Sequence, residues 1–395
     1  MSDWQNYALG DVAEVFDGPH ATPAKTEEGP WYLSISSLIS GRLELSESAH
    51  LSEQDFERWT KRVTPTPGDI LFSYETRLGE AALMPQGIRA ALGRRMGLLR
   101  PRRELVEPRF LLLTYLSPEF QQVIQSRKIH GATVDRIPLT ELPKWPIRIP
   151  DISTQRRISA ALGALDEKIV VNDRIATASR QLGEVLYRSA LGEESREMTV
   201  GEVSVTLARG QAPKYTDEPA SIIVLNQKCV RDGRVLLEPS RLTEAARVKP
   251  DRILQKYDIL VNSTGVGTLG RVGIWSHDVA ATADSHVTII RMAPPIPAIV
   301  GGFALLAAQP EIEALGEGST GQTELSRSKL ASLVVPIPTR SLEELAHRLS
   351  GLEKRADAAL SESRTLTELR DTLLPELMSG RLRVKDAEKI VEETV

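Results

Sequence analysis

Leu142-Pro-Lys-Trp-Pro-Ile-Arg-Ile-Pro150 runs directly into Asp151-Ile-Ser-Thr-Gln-Arg-Arg-Ile158. At a shift of 188 residues, Leu330-Ala-Ser-Leu-Val-Val-Pro-Ile-Pro338 runs into Thr339-Arg-Ser-Leu342. Each is a proline-punctuated extended segment followed by a stretch without proline, so the chain twice closes a globule and opens a helix. Working outward, more anchors repeat in the same order. Leu9-Gly-Asp-Val-Ala13 answers Val200-Gly-Glu-Val-Ser204, and Gly41-Arg-Leu43 answers Gly233-Arg-Val235, at shifts of 191 and 192. Asp69-Ile-Leu71 answers Asp258-Ile-Leu260, and Leu98-Leu-Arg100 answers Ile289-Ile-Arg291, at shifts of 189 and 191. His130-Gly-Ala-Thr133 and Gly318-Ser-Thr320 form a looser pair. A period near 190 is too long for a solenoid unit and reads as a duplicated domain.

With 395 residues the chain has room for two domains or more. The repeat divides it into a first domain at 1–150, a central helix at 151–197, a second domain at 198–338, and a C-terminal helix and tail at 339–395. Alternating apolar positions predict strands in Trp31–Ile39, Asp69–Tyr74, Ile222–Leu225 and Ile253–Asn262, and helices in Pro108–Leu116 and Ala298–Ala308. Each copy is therefore α+β. Between them, Ile158, Leu162, Leu165, Ile169 and Asn172 keep heptad spacing, as do Leu345, Leu349, Leu352, Leu366 and Leu373. That pattern predicts two long helices in an antiparallel coiled coil, with Asn172 setting register. Ser153 and Ser341 sit where N-caps belong.

Several classes are excluded. A single cysteine, Cys229, forms no internal disulfide, and Met1–Tyr7 is too polar to begin a signal peptide, so a cytoplasmic protein is expected. The longest apolar run, Ala298–Ala308, is too short to span a bilayer. Gly265-Val-Gly-Thr-Leu-Gly270 spells a dinucleotide fingerprint, but Arg271-Val-Gly-Ile-Trp275 continues as strand where a helix is required, so a hairpin turn is expected. There is no phosphate-binding P-loop, no Asn-Pro-Pro-aromatic run, and the six histidines are scattered. Neither a metal nor a cofactor is expected on this chain, nor a catalytic centre.

Net charge is −4, which by itself gives no support to nucleic-acid binding. A DNA surface needs only a local positive field, however. Seven arginines (89, 94, 95, 100, 102, 103 and 109) crowd one stretch against Glu104 and Glu107.

The chain resembles the specificity subunit of type I restriction–modification enzymes. The proline-rich segment leading into Asp151–Ile158, the helix run Leu165-Asp-Glu-Lys-Ile169 with Asn172, and Tyr257-Asp-Ile-Leu260 with Ser263-Thr-Gly and Gly270-Arg-Val-Gly-Ile274 carry the likeness. So does Leu369-Arg-Asp-Thr-Leu-Leu-Pro375 with Leu377-Met-Ser-Gly380 and Leu382-Arg-Val384. Two departures are Ser73-Tyr-Glu-Thr-Arg-Leu-Gly79 in place of the glycine-rich turn, and Ser153-Thr-Gln155 where a glutamate is usual.

The resemblance implies two target-recognition domains, each reading half of a split double-stranded DNA target. It also implies helices that set the spacer and dock modification subunits, which carry S-adenosylmethionine, with restriction subunits supplying ATP and Mg chemistry. Candidate DNA contacts in the first domain are His20, Lys25, Ser36, Tyr74, Arg77, Arg94, Arg95, Lys128 and Thr133. In the second they are Lys214, Tyr215, Lys228, Ser263, Thr264, Arg271, His286, Thr320 and Gln322. Candidate docking positions are the ten heptad residues. A stand-alone DNA methyltransferase or nuclease, and a coiled-coil scaffold without a DNA role, are the competing readings.

Overall fold

The leucine stripes read as a coiled-coil seam turn out to serve two cores. A computed structural model describes residues 4–39, 41–131, 134–316 and 324–395. The chain divides into two compact units, residues 1–170 with 364–395, and residues 171–363. Both divisions fall inside the long helices Ile152–Glu193 and Leu342–Met378, not at the ends of the segments read from the sequence. In the first unit Ile158, Leu162, Leu165 and Ile169 join Leu366, Leu373 and Leu377 around Phe110, Tyr115 and Trp145. In the second unit Leu345, Leu349 and Tyr187 pack with Ile299, Phe303 and Ile337. Burying a side chain of this size is worth ~1.5–3 kcal/mol, so the globule cores help to hold each helix half.

Within the second unit the helices run antiparallel. Asn172 Nδ2 donates to Glu362 at 2.8 Å, and Arg180 Nη2 to Glu353 at 3.1 Å, one number rising as the other falls. Asn172 is buried, as its heptad position predicts. The N-cap of the first long helix is Asp151, not Ser153: its carboxylate accepts the Thr154 amide at 3.0 Å, leaving Ser153 inside the helix. Ser341 does stand just ahead of the second long helix, with φ +51°.

The duplication extends to strand pairing. In the first unit a four-stranded antiparallel sheet has the order Ala13–Asp17, Met96–Pro101, Ile70–Ser73, Ala81–Leu83. In the second unit Ser204–Arg209, Val287–Met292, Ile259–Asn262 and Val272–Ile274 follow the same order, extended by Gly233–Val235 and Val230–Arg231. Each unit ties its start to its end with an antiparallel pair, Gln5–Ala8 on Pro146–Ile149 and Ser195–Thr199 on Val334–Pro338. The helices Pro108–Leu116 and Ala298–Ala307 match expectation. The strand expected over Ile253–Asn262 is shorter, because Asp258 closes a turn that begins at Gln255, whose amide it accepts, and only Ile259–Asn262 is extended in the sheet.

Two repeated motifs have structural explanations. Asp69 and Arg100 form a two-toothed ion pair at 3.0 and 2.7 Å, and Asp258 and Arg291 repeat it at 2.9 and 2.6 Å. Both aspartates are buried while closing turns, and a paired arginine makes that burial tolerable. The Gly-Arg hairpins anchor to the first long helix: Arg42 Nη2 donates to the Asp166 carbonyl at 3.3 Å, and Arg234 Nη2 to the Ala176 carbonyl at 2.6 Å.

The Gly265–Gly270 turn joins two antiparallel strands, so the nucleotide-binding reading is excluded there. Gly270 has φ +80°, and a Cβ on it would lie 2.6 Å from the Glu313 Cα. A left-handed conformation alone costs a non-glycine residue ~1–2 kcal/mol. Gly270→Ala is therefore expected to lower the second unit's stability by at least that much, read as a lowered urea midpoint with an unchanged slope.

Candidate nucleic-acid interface

The sheet register gathers each unit's loops at one sheet end. In the first unit Gly97 pairs with Asp17 and Met96 with Ser73, so the loops after Asp17, after Ser73 and before Met96 emerge side by side. In the second, Thr288 pairs with Arg209 and Val287 with Asn262, bringing the corresponding three loops together. A short helical turn joins each group, Ile35–Ser37 in one and Gln227–Cys229 in the other.

In the second unit a hydroxyl is the hub. Thr264 Oγ1 accepts from Gln227 Nε2 and lies 2.9 Å from His286 Nδ1. Asn262 Nδ2 holds the Gln227 and Thr268 carbonyls at 3.0 and 3.1 Å. The His286 amide donates to Asp284 at 2.9 Å, and burial raises the Asp284 carboxyl above its ordinary range despite that bond. Val266, at the loop tip, is 84% exposed. Arg271 Nη2 donates to the Gly267 carbonyl at 2.9 Å, bracing the tip.

The first unit puts charge in the same place. Glu75 pairs with Arg95 Nε at 2.9 Å, and Arg77 pairs with Glu80 at 3.0 Å. Arg77 also reaches the Ile35 carbonyl at 3.5 Å, tying the loop to the helical turn. Backbone geometry is shared, since the Tyr74 amide donates to the Arg95 carbonyl at 3.2 Å and the Ser263 amide to the His286 carbonyl at 2.8 Å.

Two candidate contacts are corrected. Tyr74 is 5% exposed and packs in the core, its phenol pushed far up by burial and by Asp17. Ser263 is fully buried, bonded to Thr288 at 2.5 Å. The amide bonds just named continue the strand ladder past its formal end, which turns both side chains inward.

His20, Lys25, Ser36, Arg94 and Lys228 are exposed, and Arg77, Arg95, Thr264, Arg271 and His286 line the two loop groups. Lys128 pairs with Asp135 at 2.8 Å, Lys214 with Glu244 at 2.5 Å, and Tyr215 stacks under Arg241 at 3.4 Å. Thr133, Thr320 and Gln322 lie outside the described residues.

The arginine-rich stretch is also less positive than its sequence. Arg89 pairs with Glu53, Arg95 with Glu75, Arg100 with Asp69 and Arg109 with Asp166, which leaves Arg94, Arg102 and Arg103 without a carboxylate partner among the described residues, Arg103 donating to the Pro67 carbonyl. Of the ten heptad residues, nine are buried and Leu352 is half-buried, and the eight other than Asn172 and Leu352 lie in the units' own hydrophobic cores.

Two similar loop groups built on two copies of one sheet, with different side chains, match a known architecture. Residues 1–177 match the type I restriction modification DNA specificity domain. That stretch is therefore similar to a type I DNA-specificity domain. The HindI specificity subunit of Haemophilus influenzae is 24% identical over 196 residues, 48% of this chain and 41% of that protein. The match therefore spans less than half of that relative. A crystal structure of a type I restriction–modification S subunit from M. genitalium has a TM-score of 0.60 at 16% identity, covering 95% of this chain and 96% of that one. That likeness is one of fold, and it runs across both copies.

The two units also contain groups that sequence reading missed. Gln227 lies at a shift of 191 from Ser36, so carrying the repeat across would have found it beside Lys228. Glu75 was passed over because an acid runs against the expectation for a DNA surface, although a carboxylate suits a cytosine amino group. On the second-unit part of the long helix, Val171, Leu182 and Val185 are exposed, with half-buried Ile175 between them. They escaped notice because they form a second apolar stripe beside the heptad one. Among the described residues no helix is long and apolar enough to cross a membrane.

Proposed function

We infer that this chain is the DNA-reading subunit of a type I restriction–modification complex, each unit reading one half of a bipartite double-stranded target. One observation carries the reading: equivalent loop groups occupy the same sheet end in both copies but hold Gln227, Thr264 and His286 in one and Ser36, Glu75 and Arg95 in the other. One frame with different donors and acceptors is what two different half-sites require. Methyl transfer from S-adenosylmethionine belongs to modification subunits on this reading, and ATP- and Mg-dependent cutting to restriction subunits, all in the cytoplasm. The exposed stripe Val171, Leu182 and Val185 offers modification subunits an apolar face. Selecting bound duplexes from a randomised pool tests the reading, and two distinct half-sites around an unread spacer are expected. A selection that returned no sequence preference would remove it.

The same reading makes the long helices a spacer ruler. Inserting four residues near Asn172 adds about one turn, or ~6 Å. With DNA rising ~3.4 Å per base pair, the selected spacer is expected to lengthen by about one or two pairs with both half-sites unchanged. Altered half-sites would show that the helices do not set the spacing. Labelled S-adenosylmethionine, incubated with this chain and DNA alone, separates the reading from a stand-alone methyltransferase, and salt-insensitive binding would favour a scaffold.

A further inference from the structure

Beside the first unit's loop group, a cavity of about 440 Å³ opens between the loop after Asp17 and the helix Glu53–Trp59. Its walls include Asp17, His20, Arg58, Trp59, Lys61 and Arg62. Lys61 and Arg62 follow the helix C-terminus, while Trp59 packs its ring on the small cluster of Tyr32, Leu51 and Phe56. Arg58 lies 5.8 Å from the Trp59 ring centre. Neither Arg58 nor Lys61 has a carboxylate partner among the described residues. Asp17 is the one acid in the wall, and it is shared: His20 Nε2 lies at 2.8 Å and Arg62 Nη1 at 3.5 Å. Three permanent cations therefore face one carboxylate. The Trp59 indole N–H finds no acceptor among the described residues.

The helix that walls this cavity has no counterpart among the described residues of the second unit. In the second unit the stretch between the strands Arg241–Glu244 and Ile259–Asn262 has two 3-10 turns and no α-helix. There Arg247 pairs with Glu244 at 3.4 Å, and Arg252 with Asp251 at 2.6 Å. The cavity also lies at the sheet end that carries the reading loops, because Gly18 in its wall donates its amide to the Met96 carbonyl, next to Arg94 and Arg95.

We propose that this cavity seats a single phosphodiester of the DNA backbone flanking the half-site read by the first unit. The proposal rests on the DNA-reading function inferred above. Unpaired lysine and arginine heads around a small concavity suit one phosphate, and a phosphate contact fixes register without reading a base. The second unit has no equivalent helix to build the same foothold, so on this proposal the two halves of the target are gripped differently.

The test compares the full chain with an Arg58→Gln/Lys61→Gln/Arg62→Gln variant on the same pool of short randomised duplexes, measuring binding across a salt series. Neutralising one phosphate contributes about 0.9 to the slope of log K against log salt. The variant's slope is expected to be shallower by about that amount, not three times it, with the selected half-sites unchanged. Trp59 fluorescence should respond to DNA in the parent, with that response absent in a Trp59→Phe chain. Lys61→Arg should keep the parent slope. Should the triple variant fold poorly, Lys61→Gln alone, at an exposed position, reads the same slope. A parent that binds with a normal slope and a variant that matches it would overturn the phosphate seat while leaving the DNA-reading function intact. A variant with altered half-site preference would also overturn it, in favour of base contact. A parent whose binding ignores salt would remove the underlying reading and the seat together.

Discussion

Glu353→Ala is expected to destabilise the second unit by about 3–5 kcal/mol, visible in calorimetry as the loss or sharp lowering of one unfolding transition. Glu353 is 1% exposed and faces Arg180, which is 7% exposed, across 3.1 Å. Phe303 covers the guanidinium at 5.5 Å, so removing the carboxylate strands a charge that water cannot reach. The pair is not well satisfied even as it stands: Arg180 Nε and Nη1, Glu353 Oε1 and Arg234 Nε have no hydrogen-bond partner among the described residues. Burial holds the Glu353 carboxyl above its ordinary range although Arg180 and Arg234 pull the other way, and burial likewise lowers Arg180. Both shifts run against charge, so desolvation outweighs the mutual attraction.

Two consequences distinguish this from an ordinary stabilising ion pair. The double change Arg180→Met/Glu353→Leu should be neutral or more stable than the parent by about 1–4 kcal/mol, because an apolar pair needs no compensation. The pH dependence has a definite sign as well. A carboxyl whose folded value is raised contributes stability below its unfolded value, near 4.3, and that stability is lost as pH rises through the folded value. Stability of the second unit should therefore decline above the ordinary glutamate range, and Glu353→Gln should flatten the decline. In the first unit the related arginine, Arg370, reaches Asp166 at 3.0 Å where the acid is 24% exposed. Asp166→Ala should accordingly cost less.

The repeat made the architecture readable because the backbone plan is written in apolar spacing, and spacing survives divergence. Ile158 to Ile169 and Leu345 to Leu373 follow the heptad rule and are buried as that rule requires, apart from half-buried Leu352. What spacing cannot say is which apolar face meets which neighbour. The same leucines serve the globules, so the compact units part at Val170 and Ser363 and not at the helix ends. Polar residues were harder still. Asp69 and Asp258 read as turn residues, and they do close turns, but their buried ion pairs come from Arg100 and Arg291, 31 and 33 residues away. The clue was present in the co-repeating Leu-Leu-Arg and Ile-Ile-Arg. Tyr74 and Ser263 went wrong for the opposite reason, since a tyrosine or serine at the end of a strand looks like loop until the ladder bonds beyond it are seen. The basic cavity around Trp59 was invisible because its two walls, Asp17 to Ala21 and Arg58 to Val63, come from segments some 40 residues apart, neither conspicuous alone.

Thr264→Ala is expected to relax the second half-site while leaving the first unchanged. A hydroxyl offers one donor and two acceptor positions. Thr264 uses them to accept from Gln227 Nε2 and to meet His286 Nδ1 at 2.9 Å, so one small side chain orients an amide and an imidazole together. Alanine frees both, and side chains that must be ordered on binding discriminate less well than those held in advance. Each base pair read in this way is worth about 1–3 kcal/mol of discrimination, so enrichment at one or two positions of that half should fall roughly 5- to 150-fold. Thr264→Ser keeps the hydroxyl and should keep the preference. In the first unit Glu75 and Arg95 hold each other at 2.9 Å. Glu75→Gln removes that charge pairing and should relax the first half-site alone. Selecting from randomised duplexes reads both halves in one experiment. A shift of both half-sites by either substitution would mean that the two loop groups do not read independently, and no shift by either would mean that the reading surface lies elsewhere on the units.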